Sequence, residues 1–350
     1  MEYRSLGRSG LKVSTLTLGT MTFGGKDKFA KVGNLGVKEA RNIIDLCIDH
    51  GVNLIDTANM YSLGGSEEII GEALNGSRPG NVLISSKARM PVGDGPNEGG
   101  FSRHHLIREC ERSLKRLRTD VIDIYYMHEW DGLTPMEEML ETLDTLVKQG
   151  KIRYIGCSNF SAWHLMKALG VSNEHHYQRF VTQQIHYTLE AREAEYELLP
   201  IAVDQGVGVL AWSPLAGGLL TGKYTRDKKP EGVTRMSEGW TEPPVRDEER
   251  LWNIVDTIIN IGKQHNVSPA QVSLAWLLTR PGVSSVVIGG RKIEQIEDNL
   301  SAASLKLTSE EIKRLNKVSA IPVIYPYWHQ EIFAKEGFNA GERALHEDRE

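Results

Sequence analysis

The run Val121-Ile122-Asp123-Ile124-Tyr125-Tyr126-Met127-His128 leads through Pro135 to Lys148 into Ile152-Arg153-Tyr154-Ile155-Gly156-Cys157-Ser158. The two outer runs are short and rich in β-branched and aromatic residues, the pattern of strands buried on both faces. Between them the apolar residues recur at three and four positions and charge collects on the far face, which predicts an amphipathic helix. Strand, crossover helix and strand together make a parallel unit.

The same alternation extends in both directions. Strands are predicted over 14–19, 52–56, 82–87, 121–128, 152–158, 180–184, 207–212 and 284–289, and helices over 37–50, 104–117, 135–148 and 161–169. A polar hairpin-like start covers Glu2 to Val13. Eight strand-then-helix units within 350 residues fit a closed (β/α)8 TIM barrel better than a doubly wound sheet, which has fewer strands and an opening Gly fingerprint. No Pro/Ser-rich linker divides the chain, so one barrel domain over 1–350 is expected, with its core at about 14–320 and a tail at 321–350. Two segments depart from the alternation: a long loop after strand seven, Gly217 to Arg246, and an aromatic tail carrying Tyr325, Tyr327 and Trp328. A loop of that length points to function. The tail either caps a pocket or packs on the outside of the barrel.

Composition narrows the function classes. The net charge is −5, with no basic stretch interleaved with aromatics, which argues against a nucleic-acid partner. Cys47, Cys110 and Cys157 are widely spaced in apolar contexts and read as buried thiols of a reducing compartment. The start of the chain has no apolar signal core and no run reaches the length of a membrane span, so the reading is a cytoplasmic protein. The pairs His104-His105 and His175-His176 lack ligand spacing, and no metal is expected.

In such a barrel the chemistry sits where strands end. Strand two ends in Asp56, three in Lys87 and four in His128, and Tyr61 lies on the loop after Asp56. A Tyr hydroxyl is a weak acid, but a neighbouring cation stabilises its phenolate and lowers its pKa. Lys87 is placed to act so on Tyr61, with Asp56 as its fixed partner, while His128 donates to a carbonyl oxygen that gains negative charge. Taken singly, each has an ordinary reading: a turn cap, a solvated strand end, a rim histidine, a packing aromatic. Their conjunction favours proton transfer.

At these residues the chain resembles the aldo-keto reductase family. The resemblance is carried by Asp56-Thr57-Ala58-Asn59-Met60-Tyr61, Ser85-Ser86-Lys87 and Asp123-Ile124-Tyr125-Tyr126-Met127-His128. It continues through Gly156-Cys157-Ser158-Asn159-Phe160, Gln184-Ile185-His186-Tyr187, the run from Trp212 to Leu219, and Ile288-Gly289-Gly290-Arg291. The match, from about 2 to 320, looks most like the longer, bacterial-type branch.

The resemblance implies reversible carbonyl reduction with NADPH, NADH being the less favoured cofactor. Asp56, Tyr61, Lys87 and His128 would be the catalytic set. The cofactor would lie against Gly19, Thr20, Met21 and Asp56, with Ser158, Asn159 and Gln184 at the nicotinamide carboxamide and Trp212 stacked on its ring. Ser213, Leu215, Gly218 and Leu219 would line the pyrophosphate. Gly290, Arg291, Gln295, Asp298 and Asn299 would face the adenosine end, Arg291 pairing with the 2′-phosphate. Phe23, Met60, Met90, Trp130 and Tyr325 or Trp328 would form an apolar substrate pocket. No cluster of Arg residues stands near the mouth, which makes a strongly anionic substrate less attractive. The family also contains potassium-channel β subunits, so a nucleotide-binding regulatory subunit is the alternative expectation.

Overall fold

The computed structural model describes residues 1–76, 78–228 and 244–348. A short antiparallel hairpin, β1 (Tyr3–Ser5) with β2 (Lys12–Ser14), comes first. Eight strands follow: β3 (Leu16–Gly19), β4 (Leu54–Asp56), β5 (Leu83–Ala88), β6 (Ile122–Met127), β7 (Ile152–Ser158), β8 (Thr182–His186), β9 (Gly208–Trp212) and β10 (Val283–Ile288). They close into one barrel in the order β10-β3-β4-β5-β6-β7-β8-β9, and every pairing around it is parallel.

Helices α1 (Val37–Asp49), α2 (Gly65–Ala73), α3 (Arg103–Leu117), α4 (Met136–Lys148), α5 (Ala162–His175) and α6 (Ala194–Gln205) take the first six crossovers. The seventh holds two, α7 (Glu248–His265) and α8 (Pro269–Leu278), and α9 (Ile293–Ser301) and α10 (Ser309–Val318) follow β10. In α3 the Ser102 side chain caps the His105 N–H, and Leu106, Glu109, Cys110, Ser113, Leu114 and Leu117 form the buried face. The protein is a (β/α)8 TIM barrel with an N-terminal hairpin.

Each expected strand forms within two residues of its predicted ends. The sixth is shifted because its ladder with β9 continues to His186 opposite Trp212, leaving Phe180 and Val181 outside the strand. Helix α5 runs past the predicted end at Leu169: Gly170 weakens it by about 1 kcal/mol, but Val171 and Ser172 beyond are buried. The loop expected over 217–246 is described only at its two ends, since 229–243 lie outside the described residues.

The hairpin closes the barrel floor. Leu6 and Val13 pack with Leu54, Ile124, Tyr126 and Leu210 inside the barrel. Gly156 leaves room for the Tyr126 ring, since a Cβ there would come within 2.5 Å of it. The interior is therefore filled at the bottom and the strands' C-terminal ends face the open mouth. The three cysteines are buried, and burial pushes the Cys47 and Cys110 thiols up to about 12.

The tail packs on the outside of the barrel. Helix α11 (Tyr327–Phe333) sets Tyr327 against Tyr196, ring centroids 5.2 Å apart, and α12 (Ala340–His346) packs along α6. Beneath α12, buried Arg192 grips Glu195 with two 2.8 Å bonds, and Arg280 donates to Tyr187 at 3.1 Å. The tail completes this cluster, with Ala344 O accepting from both arginines and Glu347 pairing with Arg280 at 3.0 Å. Deleting residues 321–350 removes these bonds and leaves Arg192 and Arg280 to share Glu195. It is expected to destabilise the barrel by about 3–5 kcal/mol, read as a lower denaturation midpoint; an unchanged midpoint would show the tail to be energetically passive.

Candidate active site

Three neighbouring strands deliver the central residues. Asp56 ends β4, Ser85 lies opposite it in the β4–β5 register, and Lys87 stands two residues further along β5 on the same face. Lys87 is fully buried and uses its three donors on Asp56 Oδ2 at 2.6 Å, Thr57 O at 2.9 Å and the Tyr61 hydroxyl at 3.3 Å. Asp56, 2% exposed, also accepts from Ser85 Oγ at 2.6 Å and Gln184 Nε2 at 3.0 Å, so donors surround the carboxylate.

Tyr61 is half-buried at the mouth, its ring between Phe29 at 5.7 Å and His128 at 5.8 Å. His128 is the first residue past β6; its N–H donates to Ala88 O, and its carbonyl accepts from Asn159 Nδ2 at 3.2 Å. Asp56, Lys87 and His128 from the strand ends and Tyr61 from its loop thus come together.

The electrostatics differ from the sequence expectation in one respect. Burial raises the Tyr61 hydroxyl above its ordinary pKa, and although the Lys87 charge pulls the other way, the net direction is upward. Burial also works against the Lys87 ammonium, but Asp56 and Tyr61 outweigh it and the Lys87 pKa is raised. At neutral pH the pair is therefore a protonated phenol beside a charged ammonium.

The loop behind Tyr61 is clamped. Ser62 and Leu63 take left-handed backbone at φ 51° and 56°, and buried Ser62 Oγ donates to Phe23 O and accepts from Gly25 N at 2.9 Å. Ser66 Oγ bonds Thr57 Oγ1 and the Thr20 carbonyl, and Asn59 Nδ2 donates to Glu109. Sequence reasoning missed Ser62, Ser66, Phe29 and Ser85. Ser85 carried a signal, its spacing of two from Lys87; the others come from loop folding.

Around this centre, Thr20 bonds the Asp56 carbonyl, Gly19 pairs with Asp56 in the β3–β4 register, and Met21 follows half-buried. Ser158 pairs with Gln184 in the β7–β8 register, and Trp212 Nε1 donates to Asn159 Oδ1 at 3.0 Å. Ser213, Ala216, Gly217 and Gly218 all have positive φ, and nothing lies within 4 Å of where a Gly218 Cβ would stand. Leu215 is half-buried and Leu219 buried beside them.

The adenosine-end set is more scattered. Gln295 folds back so that its amide oxygen accepts from Arg291 N at 2.9 Å, with its Cβ 3.1 Å from where a Gly290 Cβ would stand. Asn299 is buried. Both Asp298 oxygens are taken by Ser268 and Gln271 at the start of α8, at 2.7 and 2.6 Å, a helix-to-helix tie. Of the apolar set, Met60, Met90 and Trp130 are half-buried, Trp130 stacking on His164 at 3.7 Å. Phe23 is buried in the core, while Tyr325 is 71% exposed, its ring near Trp328 of the same tail.

A closed parallel barrel that gathers a buried ion pair, a phenol and an imidazole at its C-terminal mouth has the architecture of an enzyme or of a protein derived from one. Comparison makes the class specific: the Aldo/keto reductase family model matches residues 15–320, and the chain belongs to that family. It is 39% identical over 329 residues to the uncharacterized oxidoreductase YrpG of Bacillus subtilis, covering 91% of this chain and 96% of that one. It is 32% identical to the versiconal hemiacetal acetate reductase of Aspergillus parasiticus (93% and 99%). A probable voltage-gated potassium channel subunit beta of Arabidopsis thaliana is 36% identical (87% and 92%).

Proposed function

We propose that the protein reduces an aldehyde or ketone to an alcohol, reversibly, with NADPH as its reductant. The observation that supports this most is the hydrogen-bonded chain Asp56–Lys87–Tyr61 ending beside His128. Tyr61 gives its proton to the carbonyl oxygen, Lys87 holds the hydroxyl and stabilises the phenolate left behind, and Asp56 keeps Lys87 charged and in place. His128 orients the carbonyl by donating to its oxygen. No metal takes part.

The mouth suits a nicotinamide dinucleotide. The half-buried Trp212 offers a stacking face fixed by Asn159, and the positive-φ backbone at Ser213 and from Ala216 to Gly218 curls into a concavity of the sort that holds anions. When bound, the cofactor supplies the hydride. Ser158, Asn159 and Gln184 would hold its carboxamide, Ser213, Leu215, Gly218 and Leu219 its pyrophosphate, and Arg291 its 2′-phosphate. Arg291→Ala is expected to weaken NADPH binding by about tenfold or more, as loss of a charge-assisted phosphate contact does, with little change for NADH. Equal loss for both cofactors, by fluorescence titration, would remove that role.

Loss of NADPH absorbance against a panel of aldehydes and ketones tests the activity itself. A second reading is favoured by the kinship with proteins named as channel β subunits: the same barrel serving as a nucleotide-binding regulatory subunit. Tight NADPH binding with no turnover of any carbonyl would select it.

A further inference from the structure

Arg89 is the first residue past β5, two beyond Lys87, and it occupies backbone that side chains rarely adopt, at φ 146°. Hydrogen bonds on both sides hold it there. Ala88 O accepts from His128 N at 3.0 Å, and Arg89 O accepts from Gly100 N at 2.8 Å, tying the far end of the following loop back to the strand. Nothing in this local frame calls for an arginine, and glycine would sit at that φ without strain.

The side chain is half-buried, and its Nε is sequestered from solvent without a hydrogen-bond partner among the described residues. Among the described residues it takes part in no ion pair within 4 Å, unlike Arg103, Arg108 and Arg112. The carboxylates whose charges reach it, Glu129 and Asp131, belong to the loop just after His128 and bond to other groups. Asp131 accepts from Phe101 N, Leu133 N and Thr134 Oγ1, and Glu129 accepts from Trp130 N. The guanidinium thus lies within reach of the charges on the loop that follows His128, its Nε unbonded among the described residues, on a strained backbone that the loops around it over-determine.

We infer that Arg89 selects the substrate by pairing with an anionic oxygen group, a carboxylate or a phosphate, on the carbonyl compound. This rests on the reductase reading and narrows it to acidic aldehydes or ketones, reversing the expectation drawn from the lack of an Arg cluster. One fork suffices, because a guanidinium binds either group bidentately.

The test compares wild type with Arg89→Met and Arg89→Gly on matched pairs: benzaldehyde against 4-carboxybenzaldehyde, and glyceraldehyde against glyceraldehyde 3-phosphate. In the variants, kcat/KM for one acidic member is expected to fall about 10- to 100-fold while its neutral partner stays within about twofold, the range of a charge-assisted contact. The pair showing the gap identifies carboxylate or phosphate. Arg89→Gly is expected to unfold at no lower temperature than wild type, which separates lost recognition from lost structure. Benzoate and inorganic phosphate are also titrated by calorimetry into the NADP+-saturated protein, and the same loss of affinity is expected for one of them. Equal losses on acidic and neutral substrates together with unchanged anion affinity would overturn the assignment. Arg89-dependent anion binding in a protein that reduces no carbonyl would keep the site and remove the reductase reading instead.

Discussion

Tyr61→Phe is expected to lower the turnover number by about 10³-fold, within the range that removal of a positioned acid produces, while leaving NADPH affinity within about twofold. The substitution is clean because it deletes one oxygen. The ring keeps its contacts with Phe29 and His128, and Lys87 keeps Asp56 and the Thr57 carbonyl as partners. Stopped-flow absorbance with a reactive aldehyde measures the rate, and retention of most of the turnover would mean that another group supplies the proton. The wild-type pH profile follows from the upward shift of Tyr61. On the proposed mechanism reduction uses the protonated phenol, so its rate should hold across neutral pH and fall only as pH rises through a value above the ordinary tyrosine pKa of about 10. Oxidation of the alcohol would then use the phenolate and should rise with pH over the same interval.

The barrel was legible because periodicity and strand composition report burial directly: a parallel strand covered on both faces reads as a β-branched run, and its C-terminal end opens onto the mouth, where ionisable side chains can gather. Asp56, Lys87 and His128 were found by that rule. The electrostatic balance at Tyr61 was not legible in the same way. The sequence names Lys87 as a neighbouring cation, but the larger effect is the desolvation of the hydroxyl, which depends on how Phe29 and the loop after β3 fold over the ring. Arg89 was invisible for a related reason. Nothing in Lys87-Ala88-Arg89-Met90 signals left-handed backbone, which arises from two hydrogen bonds made by residues distant in sequence. At the adenosine end, helical spacing put Gln295 and Asn299 on one face but could not foresee that Gln295 would cap its own helix or that Asp298 would be spent on α8. Spacing predicts direction, while competition among partners for one side chain is settled only in three dimensions.

Lys87→Met has two consequences that can be separated. Methionine fills much of the same volume, so the loss is one of charge: the Asp56 carboxylate stays 2% exposed with Ser85 and Gln184 as its remaining donors. Breaking one side of a buried pair costs about 3–5 kcal/mol, and a drop of that size in unfolding free energy, with an unchanged denaturant slope, is the expected result. Because the Lys87 pKa is raised in the folded state, its contribution is fully present below the unfolded lysine value of about 10.4. It is lost as pH rises through the higher folded value, so the gap between wild type and variant should be constant at neutral pH and narrow in strong alkali. Adding Asp56→Leu removes the stranded carboxylate and should recover most of the stability, since an apolar replacement of a buried pair is often neutral. It should recover none of the activity, because Tyr61 then has no cation to hold its phenolate. Recovery of turnover along with stability would mean that the ion pair serves only the fold; failure to recover stability would mean that Lys87 is held mainly by the Thr57 carbonyl and the phenol.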